Sequence, residues 1–209
     1  MKPEYRRIAI ATGNRGKVRE IEEILAPLGY DVFPISDLGV TLEDPETGKT
    51  FFENARIKAR EGVRKTGMPV IADDSGLCVD YLGGGPGVHT ARYAGEHPTA
   101  DENMDKLLGA LKDVPWEDRT ARFKCAIVFL APDGTEITAR GSVEGRIGFE
   151  KRGTGGFGYN PVFCVQPGNF TMAEMSDDRK NSVSHRGRAL RRLAFKMRGI
   201  SRIRLGETK

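Results

Sequence analysis

The sequence IAIATGNRGKVREIEEILAPLG, residues 8–29, contains the strand, turn and helix that decide the fold. Residues 8–12 predict a short buried strand, and residues 13–16 predict a turn, because glycine adopts tight backbone conformations easily. Apolar residues recur at helical spacing across residues 17–28, and Gly29 is typical of the end of a helix. A strand followed at once by a helix favours an α/β fold.

The same alternation continues along the first third of the chain. Residues 30–35 predict a second strand and residues 50–66 a second helix. Residues 69–72 predict a third strand, which ends in Asp73 and Asp74. Strands that alternate with helices favour a sheet with a largely parallel nucleus.

The middle of the chain has a different pattern. The glycine-rich residues 82–87 predict a loop, residues 103–111 a helix, and the residues from 180 onward a final helix. The turn at residues 132–134, between strands at 122–131 and 136–147, predicts a hairpin that forms a candidate second lobe. We therefore expect one α/β domain of two lobes over residues 1–209, with the ligand site in the cleft between the lobes.

Length and composition exclude several classes of protein. The chain has 209 residues, of which 38% are hydrophobic and 30% charged, as is typical of globular proteins. No apolar run approaches the roughly 18 residues that cross a bilayer, and the first residues lack the apolar core of a signal peptide. Three separated cysteines argue against a disulfide framework or a zinc site. These features predict a cytoplasmic protein with no membrane partner.

The net charge of +4 is unevenly distributed, since residues 186–204 include eight basic residues and no acidic one. Such a stretch can bind the phosphates of a nucleic acid or of a small anion, or it can be a solvated helix face. A nucleic-acid-binding module is therefore the alternative from another functional class. The sequence contains no recognised nucleic-acid-binding motif, which argues against it.

The turn after the first strand is a candidate phosphate site. A helix N-terminus presents free N–H groups and a positive dipole end, and Lys17 adds a charge there. The segment is not a Walker A loop, because Ala11 occupies the place of the first glycine and Val18 that of the Ser/Thr. A plain structural turn remains the alternative.

Asp73 and Asp74 are the candidate catalytic and metal-binding residues. Adjacent carboxylates at the end of a buried strand repel each other unless a cation or a proton lies beside them. Mg²⁺ suits such a pair because it usually takes one or two carboxylates and leaves its other positions to water and phosphate. The alternative is a turn cap beside a solvated side chain. A further carboxylate is available from Glu43, Asp44, Glu46 or Glu53.

Residues 153–158 match G-x-G-x-x-G, but Pro161 and the residues after it predict an extended segment where a dinucleotide fold requires a helix. The loop instead suits a nucleotide base, with Phe157 and Tyr159 against the ring and Asn160 at its edge. A plain turn with buried aromatic residues is the alternative. Further cationic donors for phosphate or a purine edge are Lys180, His185 and Arg186, although a lone histidine is more often structural.

Together these segments resemble the inosine/xanthosine triphosphate pyrophosphatase family, also known as the Ham1 family, over residues 8–193, in the same order. The motifs that carry the resemblance are ATGNRGK at 11–17, FENA at 52–55, IADDSGL at 71–77, LGGGPG at 82–87, ARYAG at 91–95, GGFGY at 155–159 and SHRG at 184–187. Several motifs in register are much more specific than any one of them.

The resemblance implies an elongated mixed α/β sheet with flanking helices, two lobes around a central active-site cleft, and a homodimer. It implies Mg²⁺-dependent hydrolysis of ITP, dITP and XTP to the nucleoside monophosphate and pyrophosphate, which cleans the nucleotide pool, with no nucleic-acid partner. By motif, Asp74 is the general base and a metal ligand, and Glu46 is a second ligand. The implied substrate-binding residues are Thr12, Gly13, Asn14, Arg15, Gly16, Lys17, Ser75, Phe157, Gly158, Tyr159, Asn160, Lys180, His185 and Arg186.

One residue departs from the family pattern. The family usually has an aspartate where this chain has Asn160, and asparagine offers a donor as well as an acceptor and carries no charge. This substitution affects the expected base preference and the balance between inosine and xanthine. Separately, a pyrophosphatase for another nucleotide, such as a modified pyrimidine, is the closer alternative. The sequence also leaves open whether Asp73 or Asp74 takes the proton.

Overall fold

The computed structural model describes residues 5–43 and 46–204 of the chain. Its strands form one six-stranded sheet in the order β2-β1-β3-β4-β5-β6. The strands are β1 (Arg7–Ile10), β2 (Asp31–Pro34), β3 (Val70–Val79), β4 (Thr120–Leu130), β5 (Glu136–Ile147) and β6 (Phe163–Val165). Strand β1 is parallel to β2 and β3, whereas β5 and β6 are antiparallel, so the predicted mixed sheet with a parallel nucleus is confirmed.

Five α-helices accompany the sheet in the described residues: α1 (Arg15–Leu25), α2 (Phe51–Thr66), α3 (Ala100–Ala110), α4 (Asp177–Val183) and α5 (His185–Arg204). The first predicted helix is shorter than expected, because a 3₁₀ turn with Pro27 near its start replaces its last residues. Gly29 ends that turn with φ 90°, as a C-terminal glycine does. The second predicted helix is confirmed, from its N-cap Thr50 to its C-cap Gly67.

Three further predictions from the sequence were wrong in detail. Strand β3 does not end at the acidic pair but continues to Val79. The final helix is two helices, because Ser184 has extended backbone angles (φ −65°, ψ 156°) between α4 and α5. The segment after Tyr159 begins with a 3₁₀ turn over Asn160–Val162 and only then becomes extended.

The predicted hairpin and loop are confirmed. Strands β4 and β5 are joined by a tight turn in which Gly134 has φ 85° and donates to the carbonyl of Ala131. In the glycine-rich loop, Gly83, Gly84 and Gly87 have positive φ, a region that side chains other than glycine rarely adopt.

The chain divides into two compact units. The described residues up to 74, with 125–141 and those from 186, form the first unit, and residues 75–124 and 142–185 form the second. In the first unit, one core joins α1 and α5 through Ile21, Leu25 and Leu190, and another packs around Ala55 and Ala59 of α2. The second unit has its own core, built around Leu107, Phe123 and Phe163.

The helices and the cysteines of the described residues bear on the predictions of a protein without a membrane partner and without disulfides. None of the helices is long and apolar enough to cross a membrane. The three cysteines, Cys78, Cys125 and Cys164, are free and buried.

Candidate active site

The alternation of side chains along β3 separates the two aspartates. Successive residues of a strand point to opposite faces of the sheet. Ile71 packs in the core that includes α1 and α5, whereas Val70 and Ala72 pack in the core that includes α2. By the same period, Asp73 points towards α1 and α5, and Asp74 points towards α2. Adjacent residues therefore receive different neighbours.

Asp73 is enclosed by cations. Its carboxylate is 1% exposed, with Oδ1 3.3 Å from Lys17 Nζ and Oδ2 3.2 Å from Arg186 Nε. Burial alone would raise the pKa of the Asp73 carboxyl, but Lys17, Arg186 and Lys58 together lower it well below its usual range. Asp73 is therefore a fixed negative charge.

Arg186 also pairs with a second buried carboxylate. Its Nη1 donates to Oε2 of Glu20 on α1. The side chains of Arg186, Glu20 and Asp73 are all almost fully buried. Burial would lower the pKa of Arg186, but Asp73 and Glu20 raise it. The guanidinium links α1, β3 and the start of α5.

Asp74 has the opposite electrostatic balance. Its Oδ2 accepts a hydrogen bond of 3.1 Å from Asn54 Nδ2, and its Oδ1 lies 3.5 Å from Lys58 Nζ, both on α2. Burial and the nearby Glu46 carboxylate raise the pKa of Asp74, and Lys58, Lys17 and Asn54 only partly offset them. Asp74 therefore binds a proton more readily than an ordinary aspartate.

Lys58 lies between two carboxylates. Its Nζ is 2.9 Å from Glu46 Oε1 as well as 3.5 Å from Asp74 Oδ1. Burial would lower the pKa of Lys58, but Asp74, Asp73 and Glu46 raise it, so the ammonium stays charged. A cation thus already sits where the oxygens of Asp74 and Glu46 converge.

The turn before α1 positions Lys17. Asn14 is the N-cap of α1, and its Oδ1 accepts from the backbone N–H of Lys17 at 3.1 Å. The Thr12 hydroxyl accepts from the backbone N–H of Asn14 at 3.2 Å. These bonds start the helix so that the Lys17 side chain extends to Asp73. Arg15 and Gly16 form the first turn of α1, and a Cβ on Gly13 would meet nothing within 4 Å.

The remaining predicted substrate-binding residues belong to the second unit, except for Arg186. Tyr159 is buried and its hydroxyl donates to the carbonyl of Thr90 at 2.9 Å. Asn160 is also buried, and a Cβ on Gly156 would lie 2.0 Å from its Nδ2, which explains the glycine at 156. Phe157 and Gly158 lie beside them, half-buried, and Ser75 follows Asp74 on β3.

Two further candidates of the second unit are buried around its core. His185 stacks on Phe123, with ring centroids 4.8 Å apart and planes 11° from parallel. Lys180 is buried, and its Nζ lies 3.0 Å from Asp177 Oδ1. The structure thus gives both side chains a packed environment.

Three residues of the cluster around the aspartates were not predicted from the sequence: Glu20, Asn54 and Lys58. Asn54 is part of the quoted FENA motif, and Lys58 follows it by one helical turn, on the same face of α2. That spacing was the available signal. Glu20 carried none, because only the fold brings it to Arg186, 166 residues away.

The candidate further carboxylates have different partners in the structure. Glu53 forms a capping box with Thr50, and Glu43 lies 3.2 Å from Lys65. Asp44 lies outside the described residues. Glu46 is thus the one of the described three that shares a cation with Asp74. Groups of three or more potential ligands (His, Cys, Asp or Glu) that could hold a metal ion are absent from the described residues.

The donor set nevertheless fits a hard divalent cation. Asp74 and Glu46 provide two carboxylates that already converge on one positive charge, and Mg²⁺ commonly takes no more than that from a protein.

One aspartate held ionised and one with a raised pKa, beside two lysines, identify a candidate active site whose cations suit an anionic substrate. Residues 8–196 match the model of the Ham1 family. The chain belongs to the Ham1 family, as the resemblance of its motifs predicted.

Curated relatives and solved structures agree with this membership. The chain is 54% identical over 187 residues to the dITP/XTP pyrophosphatase of Bacillus licheniformis, covering 90% of this chain and 95% of that protein. It is 50% identical to the protein of the same name from Shigella flexneri, covering 92% and 98%. The structure of a HAM1 protein from Coxiella burnetii matches with a TM-score of 0.83 at 39% identity, again covering 92% and 98%.

Proposed function

We propose that this chain hydrolyses deaminated purine nucleoside triphosphates (ITP, dITP and XTP) to the nucleoside monophosphate and pyrophosphate. The observation that carries the proposal is the pair of adjacent buried aspartates, of which Asp73 is held ionised and Asp74 has a raised pKa. The names of the relatives support this substrate class. Such an enzyme removes deaminated nucleotides from the nucleotide pool.

Asp74 is the general base of the proposed reaction. Water attacks the α-phosphorus while Asp74 accepts a proton from it. As the new P–O bond forms, the bond from the α-phosphorus to the bridging oxygen breaks, and pyrophosphate leaves with the electron pair. The raised pKa suits Asp74 to this step better than Asp73, whose lowered pKa makes it a poor proton acceptor.

Positive charge must offset the triphosphate before an anionic base and water can act on it. Lys17, at the start of α1, and Lys58, on α2, provide two ammonium groups next to the aspartates. The N-terminus of α1 adds a positive dipole end. In this arrangement Asp73 orients Lys17, and it leaves the base role to its neighbour.

Mg²⁺ is the proposed cofactor. Asp74 and Glu46 would hold it, in the region where Lys58 now neutralises both carboxylates. When bound, the ion supplies charge neutralisation of the phosphates and polarises the reacting phosphoryl group. Lys58 would then be available to contact phosphate oxygens.

Recognition of the base is assigned to residues of the second unit. Phe157 provides a half-buried ring, and Asn160 a buried amide, in the loop that Gly156 allows to form. Lys180 and His185 are the proposed donors towards the 6-oxo group, whereas Arg186, which the resemblance implied for the same role, is paired with Asp73 and Glu20. An amino group at that position leaves such donors unpaired, which rejects adenine.

The test is pyrophosphate release from ITP, XTP, dITP, GTP, ATP and dTTP in the presence and absence of Mg²⁺. We expect fast release from the first three, dependence on Mg²⁺, and a loss of about 10²–10⁴-fold in kcat in the Asp74→Asn variant. Asp37→Asn, an exposed aspartate of the same unit, is the matched control and should retain full activity.

Other outcomes have distinct meanings. Equal rates for all six nucleotides would leave a pyrophosphatase without the proposed selectivity, and would direct attention to Asn160. Full activity of Asp74→Asn would reject Asp74 as the base. The absence of release from every nucleotide would reject the function itself.

A homodimer acting in the cytoplasm is part of the same proposal. The free cysteines fit a reducing compartment, and the family resemblance supports the dimer. Sedimentation equilibrium across a range of protein concentrations measures the oligomeric state directly. A monomer at the concentrations used for catalysis would reject the dimer and leave the chemistry intact.

A further inference from the structure

The second unit contains a cavity that the proposed reaction does not use. Its volume is about 340 Å³, and its lining includes Trp116, Phe149, Glu150, Arg152, Cys164 and Asn169. All of these residues belong to the second unit, whereas Asp73, Asp74, Lys17 and Lys58 belong to the first. The base-recognition residues 157–160 are also absent from the lining. The volume lies in the range of sites that bind small molecules.

Two aromatic rings form one side of this cavity. The rings of Trp116 and Phe149 have centroids 6.0 Å apart and planes 32° from parallel. Phe149 is 62% exposed, which is unusual for a large apolar side chain that lines a cavity. Exposed aromatic faces of this kind stack on planar rings, including nucleotide bases.

Guanidinium groups surround the same rings. Arg119 Cζ lies 4.4 Å from the centroid of Phe149, and Arg146 Cζ lies 5.5 Å from that of Trp116. Arg152 lines the cavity and donates to the carbonyl of Asn169. The cavity therefore combines aromatic faces with one guanidinium in its lining, that of Arg152, and with two more guanidinium groups packed against its rings.

The cations near the cavity differ in how they are paired. Arg119 is 1% exposed and donates to the carbonyls of Leu111, Val114, Ile147 and Gly148, so its partners among the described residues do not neutralise its charge. Glu150 is the carboxylate in the lining, and Glu174 lies at the long distance of 3.9 Å from Arg152. The guanidinium groups of Arg146 and Arg152 can bind an anionic group such as phosphate.

From these features we infer that the cavity is a second, non-catalytic site for a mononucleotide. The base stacks on Trp116 and Phe149, and the phosphate lies against Arg146 and Arg152. Neither half suffices, because the rings offer no charge to the phosphate and the guanidinium groups offer little area to the base. The inference concerns binding alone and does not depend on the reaction proposed for Asp74.

Trp116 makes the test direct, since it is the only tryptophan of the chain. Its fluorescence is measured on the full chain, excited at the red edge of its absorption, while IMP, inosine or ribose 5-phosphate is added. We expect IMP to quench the emission saturably at up to millimolar concentration. Inosine and ribose 5-phosphate should each bind at least about tenfold more weakly, which corresponds to about 1.4 kcal/mol.

Variants locate the site. Arg146→Gln should weaken the binding of IMP measured in this way about tenfold and leave the rate of ITP hydrolysis unchanged, because Arg146 has no part in the proposed reaction. Lys17→Ala removes a cation of the first unit, next to Asp73, and should leave the quenching by IMP intact. The opposite pattern, loss in Lys17→Ala and not in Arg146→Gln, would show that Trp116 reports a distant event and would overturn the proposal.

Two further results would overturn it. Emission that does not respond to millimolar IMP would show that the cavity binds no mononucleotide. Emission that instead changes with protein concentration, together with a Phe149→Ser variant that sediments as a smaller species, would show that a second copy of the chain covers these rings.

Discussion

Asp73 and Asp74 have opposite pKa shifts although they are adjacent in the chain. The cause is the period of the strand, which directs Asp73 to Lys17 and Arg186 and directs Asp74 to α2. Burial disfavours the charge of both, but three cations (Lys17, Arg186 and Lys58) outweigh it at Asp73, whereas at Asp74 the carboxylate of Glu46 adds to it. The face of the sheet that each aspartate occupies therefore determines its affinity for a proton.

Lys58 provides a test of this assignment. Because its charge lowers the pKa of Asp74, its removal should raise that pKa further. The base must be ionised, so the acid limb of the kcat/KM profile for ITP should move to higher pH in Lys58→Met. Lys65→Met is the control on the same helix, since Lys65 pairs with Glu43 and Glu61. An acid limb at the same pH in both variants would exclude Asp74 as the titrating base.

Gly156 provides a second test at the scale of one residue. In Gly156→Ala, the alanine has to adopt a φ of +76°, which is strained for a residue with a Cβ. Its Cβ would also lie 2.0 Å from Asn160 Nδ2, so Asn160 must move. We expect KM for ITP to rise at least about fivefold and stability to fall by about 1–3 kcal/mol. In Gly158→Ala, φ is +61° but the Cβ meets nothing within 4 Å, so KM should change little. A rise in KM of equal size in both variants would attribute the effect to backbone strain alone.

At the scale of elements, helix α2 carries Asn54 and Lys58 and begins with a capping box formed by Thr50 and Glu53. Loss of the N-cap in Thr50→Ala should cost about 1 kcal/mol and lower Tm by about 2–4 °C. Thr99→Ala removes the same motif from α3 and should lower Tm similarly. Only Thr50→Ala should also reduce kcat for ITP, and an equal reduction in both would contradict a specific role for α2.

The elements also show what the sequence can predict. Local patterns were enough for α2, for the β4–β5 turn and for the parallel nucleus, because capping residues, glycines and apolar spacing act over a few residues. They failed at the end of β3, since polar residues at 73–75 were taken as the end of a strand. Those residues stay in the strand because Lys17, Arg186, Asn54 and Lys58 satisfy both aspartates, and these partners are distant in sequence.

The candidate site was predictable to the same extent. Motif residues such as Asp74 and Lys17 were found, and the structure places Asp73, Asp74, Lys17 and Glu46 in one unit. The role of Glu20 and the buried position of Arg186 were not predicted, because a charged residue in a helix pattern predicts a solvated face. Only tertiary packing shows that the guanidinium is 2% exposed.

At the scale of the first unit, Arg186 joins segments 113 and 166 residues away through Asp73 and Glu20. Asp73→Asn leaves the buried cations without this partner and should cost about 3–5 kcal/mol at neutral pH. Because the folded pKa of Asp73 is lowered, its contribution is present above the unfolded pKa of about 3.9 and is lost as pH falls towards the folded pKa. Urea unfolding of both proteins should therefore give a difference in free energy that is constant from neutral pH to about pH 5 and narrows below about pH 4. Asp37→Asn, which alters an exposed aspartate, should have the same free energy of unfolding as the parent at every pH. If the difference in free energy for Asp73→Asn instead stays the same in acid, packing and not charge holds Asp73 in place.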